Sequence, residues 1–143
     1  MVFSFYFPTF TLNLKIGGAD IDMNATIQTV KNTAERFLQD LKVKMKIWGI
    51  LYLDRRPKNA QTLLDLEIAP GKRTEIVESL EASDYIEGPK DDVHGAIAPL
   101  WVFGKTVKGK ELYIKISLGV PESEAICISF HTAEYQLQYP LRN

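Results

Sequence analysis

The sequence predicts an α+β fold: an antiparallel meander of strands with two to three helices packed on one face. Three observations carry that prediction. Apolar residues recur at steps of three and four through Ile27, Val30, Ala34, Phe37, Leu38, Leu41 and Met45, which lines them along one helix face. Strict alternation marks Leu112, Ile114, Ile116 and Leu118, and again Ile126, Ile128 and Phe130, as the buried sides of two strands. The helical patterns precede the alternating ones, which is the order of helices laid on an antiparallel sheet.

Residues 1–22 read as an extension outside the domain, which spans residues 23–143. The stretch MVFSFYFPTFTLNL is apolar, yet no basic residue precedes it and Pro8 interrupts it, so a signal peptide is not expected. Two accounts stand side by side. One is a misassigned start, with Met23 the initiator and Gly17-Gly18 the trace of a purine-rich ribosome-binding site; the other is a disordered or edge-strand extension.

From Asn24 a long helix is expected, with Asn24 or Thr26 capping it through a side-chain oxygen. Ile47–Leu53 is rich in strand formers and ends at Asp54-Arg55-Arg56-Pro57, so it reads as a strand that Gly49 weakens. Residues 58–66 form a short helix with Ala60, Leu63, Leu64 and Leu66 as its apolar set. Pro70 opens another, which runs to about Leu80, buries Ile76, Val77 and Leu80, and closes at Ser83-Asp84-Tyr85. Residues 86–99 hold two prolines, two glycines and an acidic pair, the composition of a loop. Strands follow at Leu100–Phe103, Glu111–Leu118 and Ala125–His131, with Gly104 and Gly109 assigned to turns.

Composition removes several classes of function. Seventeen Lys and Arg against eighteen Asp and Glu exclude a wholesale polycation, so any nucleic-acid site is a local patch. The single Cys127 excludes an internal disulfide and a multi-cysteine zinc site, and two histidines exclude a His-rich one. No stretch approaches the roughly 18 apolar residues of a membrane span. A reducing, cytoplasmic setting is expected, with no cofactor and no metal.

The alternation also sorts side chains onto the second sheet face. Tyr113, Lys115 and Ser117 point away from the helices, with Cys127, Ser129 and His131 beside them. A hairpin closing near Gly119–Glu124 sets Ser117 opposite Cys127, Lys115 opposite Ser129 and Tyr113 opposite His131. A phenol, an ammonium and an imidazole therefore meet on one face. RNA cleavage by internal transesterification uses such parts: a base for the 2′-OH proton, a cation for the phosphorane, and an acid for the leaving 5′-oxygen. Histidine titrates near neutrality and serves as either base or acid. An exposed polar face with no catalytic task is the competing account, and composition alone favours it.

Charge placement points towards a polyanion. Lys105, Lys108, Lys110 and Lys115 fall within eleven residues that hold one acid, Glu111. Such segregation suits phosphate, although a solvated hairpin tip explains it as well. Lys105, Lys108, Lys110 and Ser129 are accordingly the candidate phosphate contacts. His94 with Asp91 and Asp92 is a weaker metal candidate, Glu87 a candidate carboxylate base, and Cys127 small filler on the polar face.

Residues 24–143 resemble a divergent member of the MqsR-type (motility quorum-sensing regulator) toxin family, which has a RelE-like, microbial-ribonuclease-type fold. The resemblance runs through Asp84-Tyr85, Trp101-Val102-Phe103, Leu112-Tyr113-Ile114-Lys115-Ile116 and Ile126-Cys127-Ile128-Ser129-Phe130-His131. It implies the toxin of a type II toxin–antitoxin system, an mRNA endonuclease acting on or off the ribosome. Its partner would be an antitoxin encoded in the same operon. The family's catalytic tyrosine matches Tyr113, and its basic residue after Ser-Phe falls on His131, where lysine is commoner. Ile86-Glu87 replaces the lysine after the Asp-aromatic element and Val102 replaces a glutamine, so sequence specificity is not carried over.

The leading expectation is thus a metal-independent endoribonuclease using Tyr113, Lys115 and His131. A catalytically inactive module of the same fold that binds RNA or protein is the alternative. An enzyme acting on a small substrate is a third account.

Overall fold

The long apolar stripe forms helix α1, Met23–Trp48, in the computed structural model of the chain, which describes residues 13–16, 19–91 and 98–142. Asp22 caps it, not Asn24 or Thr26: its Oδ1 accepts from the Asn24 and Ala25 amides at 3.0 and 3.4 Å. The helix starts at Met23, one residue before the expected Asn24, so the cap moves ahead with it. Gly49, at φ 85°, closes the far end by donating its N–H to Met45 O. The strand expected from Ile47 therefore begins only at Ile50, as β3 below.

Residues 13–22, assigned above to an extension, carry β1 (Asn13–Ile16) and β2 (Ala19–Asp22), an antiparallel pair that makes a sheet of its own. Residues 1–12 and 17–18, on which the two accounts of that extension turn, lie outside the described residues. Among the described residues no helix is long and apolar enough to cross a membrane.

The remaining elements are β3 (Ile50–Tyr52), α2 (Pro57–Asp65), α3 (Lys72–Glu78), β4 (Tyr85–Lys90), β5 (Leu100–Val107), β6 (Lys110–Ser117) and β7 (Ala125–Thr132). The five later strands make one sheet in the order β3-β7-β6-β5-β4. Strands β4 to β7 form the antiparallel meander, but β3 joins β7 in parallel, so the sheet is mixed. Part of the expected loop is also a strand, β4. It lies at the sheet edge, where Pro89 and two register shifts are tolerated. Gly88 sits there at φ 130°, and a Cβ on it would stand 2.8 Å from Leu100 O, so only glycine fits.

Helix α1 covers one face of this sheet. Phe37 stacks on Trp101 and Phe103 at 4.6 and 5.9 Å between ring centroids. Ala34, Leu38, Leu41 and Met45 join Leu112, Ile114, Ile116 and Phe130 in the same core, with Ile76 and Val77 of α3 and the following Leu80. Each of the larger side chains among them contributes roughly 1.5–3 kcal/mol by leaving water.

Helix α2 departs from its expected orientation. Of its expected apolar set Leu66, just past its end, joins the core and Leu63 is half-buried, but Ala60 is exposed, Leu64 is 71% exposed, and the polar Asn59 and Thr62 turn inward. The cause is its position along the sheet edge. Where β3 stops pairing with β7, Asn59 Nδ2 donates to Ile128 O and to Leu53 O, each at 3.0 Å. Its Oδ1 accepts from Phe130 N at 3.0 Å, and Thr62 Oγ1 accepts from Thr132 N at 3.2 Å. Two side chains thus continue the ladder that a strand would otherwise supply. Asn59→Ala strands Ile128 O and Phe130 N in the interior. It is expected to cost about 2 kcal/mol in urea unfolding, from two unmade buried hydrogen bonds; a midpoint equal to wild type would refute this role.

Beyond β7 the chain turns back across the second sheet face. Leu137 N and Tyr139 Oη donate to the Glu111 carboxylate at 3.0 and 2.9 Å, and Arg142 reaches Asp84 in the 3₁₀ turn Ala82–Asp84. Gly104, expected in a turn, lies within β5 under this segment. A Cβ there would stand 2.3 Å from Tyr139 Oη and 2.8 Å from Leu137 Cδ1.

Candidate functional site

Strands β6 and β7 place the candidate side chains. Their register sets Tyr113 opposite His131 and Lys115 opposite Ser129, as the alternation predicts. The third expected pair is not formed. A bulge next to the Lys115–Ser129 pair sets Ile116 opposite Cys127 and Ser117 opposite Ile126. The extra residue reverses the parity of the first half of β7, which alternation alone cannot reveal. Cys127 consequently belongs to the core at 1% exposure, not to the polar face, and burial pushes its thiol up to about 12. Ile126 takes the place beside Ser117, outside the apolar set to which it was assigned.

The Tyr113 and His131 rings stack with centroids 5.3 Å apart and 16° between their planes. Lys115 Nζ lies 5.9 Å from the centre of the Tyr113 ring. His131 Nδ1 is 3.0 Å from Thr132 O. A carbonyl only accepts, so this contact assigns a proton to Nδ1; in the neutral ring Nε2 is then the acceptor. Burial, then Tyr135, then Glu87 push the Tyr113 hydroxyl up to about 12, so at neutral pH it is a proton donor. Glu87 stands in the cross-strand row Glu87–Val102–Lys115–Ser129 and accepts from Lys90 Nζ at 2.9 Å. The result is an imidazole ready to accept a proton, a phenol ready to give one, and a cation alongside.

The candidate phosphate contacts are divided. Ser129 lies in that row but is buried, opposite Lys115. Lys105 stands on the helix side of β5, where its Nζ donates to Asp84 Oδ2 at 3.1 Å and Ser79 O at 3.4 Å. Lys108 donates to Leu66 O and Glu67 O at 2.9 and 3.3 Å, just past the end of α2. Lys110 is exposed at the hairpin end, where the Lys108-Gly109 turn has φ of 50° and 76°. The structure thus gathers Tyr113, Lys115, Ser129 and His131, and holds Lys105 and Lys108 in bonds elsewhere.

Of the loop metal candidate, Asp92 and His94 lie outside the described residues, and Asp91 is exposed. Among the described residues no group of three or more His, Cys, Asp or Glu side chains is placed to hold a metal ion.

One feature of the site has no counterpart in the sequence reading. An open depression of about 450 Å³ adjoins His131, between the end of β7 and the outer face of α2, where Lys58, Gln61 and Asp65 lie. Lys58 pairs with Glu134 across it and holds that carboxyl below the usual range. The spacing of Lys58, Gln61 and Asp65 marks one helix face, but nothing local in the sequence places that face beside His131. Comparison of the chain with family models, with curated proteins and with solved structures returns no match.

Proposed function

We propose that the protein is a metal-independent endoribonuclease that cleaves single-stranded RNA by transesterification, and that it is the toxin of a type II toxin–antitoxin pair. The observation that carries the chemistry is the Tyr113–His131 stack with Lys115 beside it. In this mechanism His131 Nε2 takes the proton of the 2′-OH, and the 2′-oxygen attacks phosphorus. Lys115 balances the charge on the phosphorane, and Tyr113 Oη delivers a proton to the departing 5′-oxygen. The products are a 2′,3′-cyclic phosphate and a 5′-hydroxyl; exchange with water resets both side chains. The RelE-like reading of the frame rests on the helices preceding a meander, and on the Tyr-x-Lys strand lying beside the Ile-x-Ser-Phe-His strand. The target class, mRNA on or off the ribosome, and an antitoxin from the same operon follow from the family resemblance.

The test is an oligoribonucleotide beside its 2′-deoxy counterpart, each incubated with the full chain in EDTA. RNA is expected to be cut to cyclic-phosphate ends and DNA to survive; cleavage of both, or cleavage that EDTA abolishes, would exclude this mechanism. The internal bonds of Lys105 and Lys108 favour a second reading, a binding module of the same frame without catalysis. It predicts retention of intact RNA.

A further inference from the structure

We infer that the depression beside His131 is a nucleotide subsite that selects bases carrying an exocyclic amine, an inference that rests on the ribonuclease reading. Its volume of about 450 Å³ suits one nucleoside and is too small for a duplex. It shares His131 with the Tyr113 stack, so a nucleotide held there would place its sugar–phosphate next to the reacting groups. Single-stranded RNA is read in this manner, through the edges of unstacked bases in side-chain pockets.

The polar groups on the α2 side set the preference. Gln61 Nε2 donates to Asp65 Oδ1 at 2.8 Å, which fixes the two end groups together. Asp65 keeps acceptor capacity on its carboxylate, and Gln61 keeps one N–H donor and a carbonyl. Adenine, cytosine and guanine each offer an exocyclic amine to such a carboxylate. Uracil lacks that amine: its N3–H is a single donor set between two carbonyls, which repel the carboxylate's second oxygen. Lys58 stands at the rim, where its exposed pairing with Glu134 exchanges readily for a phosphate oxygen.

The full chain titrated with AMP, CMP, GMP and UMP in turn, followed by the backbone amide resonances of Gln61, Asp65 and Thr132, tests this directly. The three amine-bearing nucleotides are expected to shift these resonances, and UMP to bind about tenfold more weakly, the loss of one hydrogen bond to a charged group. Asp65→Ala should level the four, and Gln61→Ala should narrow the gap. Equal binding of UMP, or shifts that inorganic phosphate alone reproduces, would overturn the subsite. A mononucleotide has no bond to cleave, so this result is independent of catalysis. Amine-selective shifts in a protein that cuts no RNA would overturn the ribonuclease reading and retain the subsite. RNA cleavage without any shift would overturn the subsite alone.

Discussion

His131→Ala is expected to lose RNA cleavage by roughly 10²-fold or more while remaining folded, because a general base positioned at the 2′-OH typically contributes that much. The ring is half-buried and its hydrogen bond runs to the adjacent Thr132 carbonyl, so its removal leaves the core intact. Tyr113→Phe keeps the stack and removes only the hydroxyl, and should lose the leaving-group proton with a similar deficit. The pH profile separates the two roles. The phenol is the active form of Tyr113, and a raised pKa keeps that form present until pH climbs through about 12. Wild-type cleavage should therefore show no loss on the alkaline side up to about pH 10. A falling limb between pH 8 and about 10 would remove Tyr113 from the donor role. Near-wild-type cleavage by His131→Ala would remove the imidazole from the mechanism.

The central pair is legible in the sequence because side-chain parity and a buried apolar face fix register together. Tyr113 opposite His131 follows from Ile114 and Phe130 having to share the core, and both do. Ser117 opposite Cys127 fails for the same reason: one extra residue in β7 reverses parity, and the run Ile126-Cys127-Ile128-Ser129-Phe130 reads as an unbroken alternation with no mark of a bulge. Helix α2 is legible to within a residue, but its inward face only in part: Leu66 is buried, whereas Ala60 and Leu64 are exposed. Amphipathic reading assumes that the buried side meets other apolar side chains, whereas Asn59 and Thr62 meet a strand's unpaired N–H and C=O groups. The parallel partner β3 was legible as a strand but not as a neighbour of β7, since more than seventy residues separate Tyr52 from Cys127. Lys105 and Lys108 read as a phosphate patch because sequence shows charge and not the carbonyls and carboxylate that satisfy it.

Asp84→Ala is expected to be the most destabilising single polar substitution of this fold, at about 3 kcal/mol. The carboxylate is 3% exposed and accepts from three directions: Lys105 Nζ at 3.1 Å, Arg142 Nη2 at 3.0 Å and the Glu81 amide at 2.9 Å. A hydrogen bond to a charged group contributes about 1.5–3 kcal/mol, and an unscreened sum of three would exceed the expected value. Both cations reach water on their outer sides, at 29% and 44% side-chain exposure, so part of each contribution is screened. Asp84→Asn should lose less, because the amide oxygen still caps the Glu81 N–H while the two charge-assisted bonds weaken. The consequence extends to the site. Asp84 anchors Arg142, which covers the Tyr139 ring at 3.5 Å, and Tyr139 with Leu137 fills the space above Gly104, opposite Tyr113 in the sheet. Loss of the anchor loosens that segment, and with less burial the Tyr113 hydroxyl moves back down towards the ordinary phenol value. Urea unfolding gives the stability change, and the alkaline limb of the cleavage profile gives the coupling. Unfolding within about 0.5 kcal/mol of wild type would show that the carboxylate is dispensable to the fold. A destabilised variant whose alkaline limb stays in place would show that the C-terminal segment does not govern the phenol.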